Sequence, residues 1–261
     1  MNILFVGDVV GKVGRKALKE NLSFIKNKYN IDFTIVNGEN ISNGRGINNA
    51  HYNFLTNLDI DCITLGNHYV DKKEELKMFI DNDNIVRPLN IKDDSIKGEG
   101  SRVFDLDGIK IRVTNVLGQV FMKEEVIPPY EAISDLLMND TSDIHIIDLH
   151  AEANGEKQSL AHAFKGEVTA ILGTHTHVQT KDAQILDKKT AYISDVGMCG
   201  DKNGILGFEE ESVIAKQLLK KNVVMSLNDD APYVFSAVVI TLDDFLLTPT
   251  KITPIYIEKG E

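Results

Sequence analysis

Two of the chain's seven histidines stand one residue apart in the stretch "VTAILGTHTHVQT" at 168–180. His175 and His177 follow an apolar run that has the composition of a buried strand. In extended backbone, residues i and i+2 point to the same side, so we expect both imidazoles to converge on one point and to be able to ligate a metal. An isolated H-x-H pair is more typical of a polar loop, so the rest of the chain has to supply partners.

Other metal-competent side chains stand at the ends of four further apolar runs. The full set at these ends is Asp8, Glu39, Asn67 with His68, His150, and the His175/His177 pair. In open α/β sheets, functional groups gather beyond the carboxyl ends of the strands. Turn propensity accounts for one or two polar residues at such ends but not for five. The pattern therefore favours a metal site.

The apolar runs also predict the fold. Rich in Ile, Val and Leu, they are typical of strands buried on both faces and lie at 2–8, 33–40, 62–68, 110–118, 144–150, 168–175 and 190–197. Amphipathic helices are predicted between them at 14–29, 48–58, 72–81 and 210–221. Strand–helix alternation indicates an α/β fold, and two C-terminal strands, "YVFSAVVITLDD" and "TKITPIYIEK", are expected to pair antiparallel. We expect one domain over 1–261 with layers of helix, sheet, sheet and helix.

Charge and composition limit the partners. A formal net charge of −11 argues against a broad surface for duplex nucleic acid. The N-terminus lacks a signal-peptide pattern, and no run reaches the roughly 18 apolar residues of a membrane span, so we expect a soluble cytoplasmic protein. Cys62 and Cys199 lack the spacing of a disulfide framework or zinc knuckle, and Cys62 is expected to be buried.

The candidate ligands suit two cations better than one. Three imidazoles, two carboxylates and an amide exceed what a four-coordinate zinc would use. Nitrogen and oxygen donors without thiolate point to iron, manganese, zinc or nickel rather than calcium. Two such metals roughly 3.5–4 Å apart can clamp a phosphate and generate a hydroxide nucleophile.

The ordered motifs carry a more specific resemblance. Taken together, "GDVVG", "NGEN", "GNH", "DLHAE" and "GTHTH" resemble the motifs of calcineurin-like metallophosphoesterases, whose usual order is D-x-H, GD, GNH, a lone His, and GHxH. Longer stretches such as "ITLGNHYVDKKE", "HAEANGEK" and "AYISDVGMCG" are similar to the YmdB-type branch of bacterial cyclic-nucleotide phosphodiesterases. The similarity runs over nearly the whole chain. It implies a four-layer α/β/β/α fold, homo-oligomers, and 2′,3′-cyclic or 3′,5′-cyclic nucleotides as substrates.

The resemblance also implies roles for individual residues. Asp8 and His177 would hold one metal, with iron the foremost candidate ahead of manganese and zinc. The second metal would be held by Asn67, His150 and His175, with Glu39 bridging the two. The D-x-H motif reads Asp-Val-Val here, so its histidine is missing, and Asn40 is the expected substitute ligand. The bridging position carries Glu rather than Asp, which is one methylene longer.

The remaining candidates surround this cage. In the implied mechanism a metal-bound hydroxide attacks phosphorus, and His68 protonates the leaving alkoxide as general acid. Asp71 could orient the His68 ring or cap the following helix, and both interpretations stay open. The remaining assignments are these: Arg45 and Lys12 as substrate-binding candidates, Glu152 as support for His150 or a solvated loop acid, His51 and His145 as structural, and His162 undecided.

Three other functions compete with this interpretation. A phosphomonoesterase such as a nucleotidase could use the same cage with a different pocket. A regulatory module could sense a nucleotide through the metals with little turnover. A nicotinamide-dependent oxidoreductase would need a dinucleotide loop, but Gly7, Gly11 and Gly14 do not have the G-x-G-x-x-G spacing, which argues against it.

Overall fold

The computed structural model describes residues 1–71, 81–93 and 95–259. The helix expected at 72–81 lies outside the described residues except for its last position. The described strands are β1 (Asn2–Val6), β2 (Asp8–Val9), β3 (Phe33–Asn37), β4 (Cys62–Thr64), β5 (Ile85–Val86), β6 (Ser101–Leu106), β7 (Ile109–Leu117), β8 (Ile144–His150), β9 (Ala170–Thr174), β10 (Gln184–Leu186), β11 (Thr190–Ile193), β12 (Met198–Asp201), β13 (Tyr233–Leu242) and β14 (Pro249–Lys259). The described helices are α1 (Gly11–Tyr29), α2 (Asn49–Thr56), α3 (Pro129–Leu137), α4 (Asn154–Ala163) and α5 (Glu210–Gln217).

The strands form two sheets in the described part of the chain. The first has the order β2-β12-β13-β1-β3-β4-β5, with β14 paired to β13, and β1, β3, β4 and β5 run parallel. The second has the order β10-β11-β9-β8-β7-β6, and β7, β8, β9 and β11 run parallel. The predicted C-terminal hairpin is confirmed, since β13 and β14 pair antiparallel.

Apolar packing defines the four predicted layers. On β1, Leu4 packs in a cluster with Leu18 of α1, whereas Phe5 belongs to a cluster that lies between the two sheets. On β8, Ile146 belongs to the inter-sheet cluster, while Ile147 packs with residues of α3 and α4. Successive residues of a strand point to opposite faces, so continuous apolar runs are required in strands that are covered on both sides. The order helix, sheet, sheet, helix is therefore confirmed.

The helix α1 shows how the local pattern fixes an element. Leu18, Leu22 and Ile25 are buried along one face, as their spacing predicts. The residue after the helix, Asn30, takes the left-handed conformation with φ 47° and terminates it, a position in which asparagine is common. The helix begins at Gly11, three residues before the predicted start.

Several elements were not anticipated from the sequence. Residues 154–163, for which no helix is predicted, form α4, whose buried apolar side chains within the helix are only Leu160 and Ala161. A stripe this narrow gives a weak periodic signal. Edge strand β6, which has no fully buried residue, and helix α3, which buries only Pro129 and Ile133, also give weak apolar patterns.

The parallel strands determine where the site forms. Asp8, Glu39 and Asn67 come at or after the carboxyl ends of β1, β3 and β4, and His150 and His175 do so for β8 and β9. The two sheets meet at this edge, where Asn37 at the end of β3 donates to Asp148 of β8 at 3.0 Å. No helix in the described ranges is both long and apolar enough to cross a membrane.

Candidate metal centre

The Glu39 carboxylate lies at the centre of the predicted cage and is almost fully buried. Its Oε1 is 3.0 Å from His150 Nε2 and accepts a hydrogen bond from Asn40 Nδ2 at 3.0 Å. Its Oε2 accepts from the backbone N–H of His68 at 3.0 Å. One carboxylate thus contacts groups that follow strands of both sheets.

On one side of Glu39 lie three nitrogen and oxygen donors. His150 Nε2 is 3.0 Å from His175 Nδ1 and 3.1 Å from Asn67 Oδ1. Ligand atoms of Glu39, His150 and His175 all lie within 4.8 Å of one another. This is the spacing expected around a single bound cation.

A second group of donors, Asp8, Asn40 and His177, is linked to Glu39 through the Asn40 side chain. His177 Nε2 is 3.8 Å from Asp8 Oδ1 and 3.2 Å from Asn40 Nδ2. The Asn40 amide nitrogen also donates to Asp8 Oδ1 at 3.3 Å. Asn40 therefore presents its nitrogen to the cage, and ligation by Asn40 would require its Oδ1 to turn into that position.

Hydrogen bonds fix which nitrogen of each ring faces the cage. His177 Nδ1 lies 2.9 Å from the Leu206 carbonyl, which can only accept, so Nε2 carries the lone pair and faces the Asn40 amide nitrogen. His150 Nδ1 lies 2.8 Å from Thr174 Oγ1, whose own proton goes to Asp148 Oδ1 at 2.6 Å. The His150 Nδ1 is then the donor, and Nε2 is the ligand atom. Outer partners of this kind orient metal-binding histidines.

The third imidazole is oriented by Glu152. His175 Nε2 is 3.1 Å from Glu152 Oε2, so its Nδ1 is the atom that faces His150. The expectation that Glu152 supports His150 is therefore corrected, because its partner is His175. Its carboxylate is partly exposed at the rim of the site.

The backbone of the H-x-H pair is not extended. The expectation that two residues of an extended segment would point their imidazoles to the same side is therefore wrong. His175 has φ 97° and His177 has φ 66°, in the left-handed region that non-glycine residues seldom adopt. The two rings have different partners, since His175 contacts His150 and His177 lies beside Asp8.

Charges in the cage are strongly coupled. Burial disfavours the charged form of His150, but Glu39 and then Asp8 outweigh it and raise the pKa of His150 to about 9. Burial also raises the pKa of Glu39, yet the adjacent His150 lowers it well below its usual range. Burial and the neighbouring His150 lower the pKa of His175 to about 3. A cation bound at neutral pH would therefore have to displace a proton from His150.

His68 lines the cavity that opens onto the cage. Its ring Nδ1 is 2.9 Å from Asp71 Oδ2, and Arg45 Nη1 lies 3.9 Å from the same oxygen. Asp71 thus contacts the His68 ring, as expected if it orients that ring. The alternative interpretation, that Asp71 caps a helix from residue 72, concerns positions outside the described residues. The cavity has a volume of 210 Å³ and includes Arg45 but not Lys12 among its lining residues. Lys12 instead lies near Asp229 and Asp230.

The other histidines lie away from the cage. His51 Nδ1 contacts Ser42 Oγ at 2.7 Å. His145 is buried between Asp140 Oδ2 at 2.7 Å and Thr114 Oγ1 at 2.8 Å, at the opposite end of β8 from His150. His162 is exposed in the last turn of α4. Their structural contacts agree with the assignments of His51 and His145.

Sequence reasoning missed the residues that support the ligands. Asn37 donates to Asp148 and accepts from the Glu39 backbone N–H at 3.1 Å, which fixes the loop that carries the bridging candidate. Asp148 is completely buried, and burial raises its pKa to about 6. The available signal was a carboxylate within the apolar strand "IHIIDLH", since an acid in such a run must have a partner.

The donors present are of the kinds that bind divalent cations. Three imidazole nitrogens with fixed orientation, the buried carboxylates of Asp8 and Glu39 and the Asn67 amide oxygen lie together, and the described cage contains no thiolate. Cys62 and Cys199 are both buried and free, away from these groups in the inter-layer packing. This set suits iron, manganese or zinc.

Comparisons with known proteins identify the family. The model of the YmdB-like protein family matches residues 4–255. The 2′,3′-cyclic-nucleotide 2′-phosphodiesterase of Bacillus subtilis is 39% identical over 260 residues, covering 98% of this chain and 97% of that protein. The solved structure of a novel phosphatase from Mycoplasma pneumoniae superposes with a TM-score of 0.93 at 37% identity, covering 99% of this chain and 93% of that chain. A hypothetical protein from Thermus thermophilus superposes with a TM-score of 0.92 at 34% identity over the full length of both chains.

The chain therefore belongs to the YmdB-like family. The resemblance to metallophosphoesterases drawn from its motifs is confirmed, as is the fold that it implied.

Gly66 provides a test of the cage's compactness. A Cβ at this position would lie 2.2 Å from Glu39 Oε2 and 2.5 Å from His150 Nε2. We expect Gly66→Ala to push these two groups apart and to lower Mn²⁺ affinity by at least the 10–100-fold typical of disturbed supporting contacts, measured by titration calorimetry on chelator-treated protein.

The matched control is Gly155→Ala in α4, where an added Cβ meets no atom within 4 Å. It should bind Mn²⁺ like the unmodified protein. Unchanged affinity in Gly66→Ala would show that the Glu39–His150 contact is not part of a cation site.

Proposed function

We propose that this member of the YmdB-like family is a dinuclear-metal phosphodiesterase that hydrolyses cyclic nucleotides, the 2′,3′-cyclic form foremost. The observation that carries the proposal is the presence of two donor groups next to Glu39: His150, which contacts Glu39 directly and touches His175, and the pair Asp8 and His177, which reaches Glu39 through Asn40. Phosphoester hydrolysis is the activity named for the Bacillus subtilis and Mycoplasma pneumoniae relatives, and 2′,3′-cyclic nucleotides are named for the former.

The residues would share two cations as follows. Asp8 and His177, with Asn40 after its amide turns, would hold one. Asn67, His150 and His175 would hold the other, and Glu39 would contact both. When bound, such a pair lowers the pKa of a coordinated water and neutralises charge on phosphate oxygens. Iron is the proposed metal, with manganese and zinc as alternatives that the same donors suit.

His68 is proposed as the general acid. Its backbone N–H is held by Glu39, and its ring is held by Asp71, so the imidazole has a fixed place in the cavity wall next to the cage. With Nδ1 donating to the Asp71 carboxylate, Nε2 is the atom that would deliver a proton, and it would do so from the imidazolium, in which both ring nitrogens carry hydrogen. In phosphodiester hydrolysis that proton would go to the departing alkoxide oxygen, which is a poor leaving group without it.

The cavity has two chemically different walls. Glu39, His68 and the paired histidines form the polar one, while an apolar wall is formed by Ile205, Leu206, Phe208, Val213 and Met225. A nucleotide has the same division between a charged phosphate and a flat apolar base. Phe208 is the aromatic member of the wall and packs against Gly44, so its ring is proposed to stack on the base.

A phosphomonoesterase is the second candidate, because the Mycoplasma pneumoniae relative is named a phosphatase. Hydrolysis of bis-p-nitrophenyl phosphate should be compared with that of p-nitrophenyl phosphate in metal-replete protein. Preference for the diester supports the proposal, and preference for the monoester supports the alternative. Homo-oligomers, which the resemblance implies, and a cytoplasmic location, which the sequence pattern predicts, stay predictions.

His68→Ala tests the general acid. We expect kcat for 2′,3′-cyclic AMP to fall by roughly 10²–10⁴-fold, the usual contribution of such a group, while Mn²⁺ content stays at that of the unmodified protein. His162→Ala, on an exposed turn of α4, is the control and should leave kcat unchanged. An unchanged kcat in His68→Ala would remove this residue from the mechanism.

Phe208→Ala tests the base-binding wall. Loss of one stacked base costs about 1–3 kcal/mol, so kcat/KM for 2′,3′-cyclic AMP should fall by about 10-fold or more. The value for glycerol 1,2-cyclic phosphate, which has no base, should not change. Phe121→Ala, at a side chain that is 85% exposed and outside the cavity, controls for loss of an aromatic ring. Equal losses on both substrates would contradict a base-stacking role.

A further inference from the structure

A buried ion pair lies behind the histidine turn and takes no direct part in the cage. Lys157 Nζ on α4 is 2.9 Å from Asp195 Oδ2 beyond β11, and both side chains are completely inaccessible to solvent. Burying two charges costs desolvation energy that their attraction alone often fails to recover. The pair therefore needs an explanation other than general stability.

The pair also contacts the turn that follows β9, while Asp195 Oδ1 accepts from the Gly197 backbone N–H at 2.8 Å. Lys157 Nζ donates to the Thr174 carbonyl at 2.9 Å. Asp195 Oδ2 accepts from both the backbone N–H of Thr176 at 3.0 Å and its hydroxyl at 2.8 Å. Thr174 and Thr176 alternate in sequence with the two histidines of the H-x-H motif. The pair thus holds the residue before each histidine.

The turn requires such support because its conformation is unfavourable by itself. His175 and His177 both have positive φ, which is sparsely populated by residues with a Cβ and persists where surrounding contacts impose it. This conformation sends one ring to His150 and the other to Asp8. If Thr174 or Thr176 were released, the turn could relax and the two rings would leave His150 and Asp8.

We propose that Lys157 and Asp195 are positioning residues that set the cation affinity of the cage by imposing the backbone of the His-Thr-His turn. This inference rests on the proposed metal-dependent function. In this proposal the buried pair maintains the geometry of the site rather than the stability of the fold. The Thr176 hydroxyl connects Asp195 to the turn.

Thr176→Val removes that hydroxyl while it keeps the shape of the side chain, so it is the primary test variant. Mn²⁺ binding is measured by titration calorimetry on chelator-treated protein, with thermal unfolding of the same metal-free samples. We expect Mn²⁺ affinity to fall by roughly 10–100-fold, as for other residues that orient metal ligands. Thr176→Ser keeps the donor and should retain the affinity of the unmodified protein.

Asp140→Asn supplies the matched structural control. Asp140 forms a second buried ionic cluster with Arg112 and His145, at the opposite end of β8 from His150. The Asp140→Asn variant should have a lower unfolding temperature and an unchanged Mn²⁺ affinity. Lys157→Met, where it folds, should weaken binding at least as much as Thr176→Val.

Three results would overturn the proposal. One is an unchanged affinity in Thr176→Val, and another is an equal loss in Asp140→Asn, which would trace the effect to general destabilisation. The third is failure of the unmodified protein to bind Mn²⁺, Fe²⁺ or Zn²⁺, which would contradict the proposed function and this inference with it. Binding that is intact in the unmodified protein but indifferent to Thr176→Val contradicts only the positioning role.

Discussion

The buried carboxylate of Glu39 is the constraint on which the site depends. It contacts His150 from one sheet and Asn40 and the His68 backbone from the loops of the other, so it joins the two sheets at their carboxyl edge. A carboxylate that is 1% exposed is unfavourable unless several groups compensate its charge. One of these compensating groups, His150, is also a proposed cation ligand, which links the electrostatics of the fold to its proposed chemistry.

Supporting contacts surround this carboxylate. Asp148 receives hydrogen bonds from Asn37 and Thr174, and through Thr174 it fixes the orientation of the His150 ring. Gly66 leaves room for Glu39 and His150 to approach each other where any Cβ would intrude. Nearly all of these residues lie within or directly after strands, so the rigid sheets hold donor atoms that a flexible loop alone would leave too mobile.

Sequence patterns predicted the strands well because the central strands of a four-layer fold must be apolar on both faces. The ends of those runs then located Asp8, Glu39 and His150, since parallel strands bring their carboxyl ends to one edge. The sequence patterns could not predict α4, whose apolar stripe is too narrow, or the left-handed backbone at His175. That conformation is imposed by tertiary contacts from Lys157 and Asp195, which are distant in sequence from each other and from most of the cage.

The central claim is that these side chains enclose two cations with Glu39 between them. Anomalous diffraction from crystals grown in Mn²⁺, recorded with and without a chelator soak, tests it most directly. The account predicts two peaks roughly 3.5–4 Å apart, one between Asp8 and His177 and the other among Asn67, His150 and His175. A map without peaks in the cage under metal-replete conditions, or a lone peak elsewhere in the molecule, would contradict it.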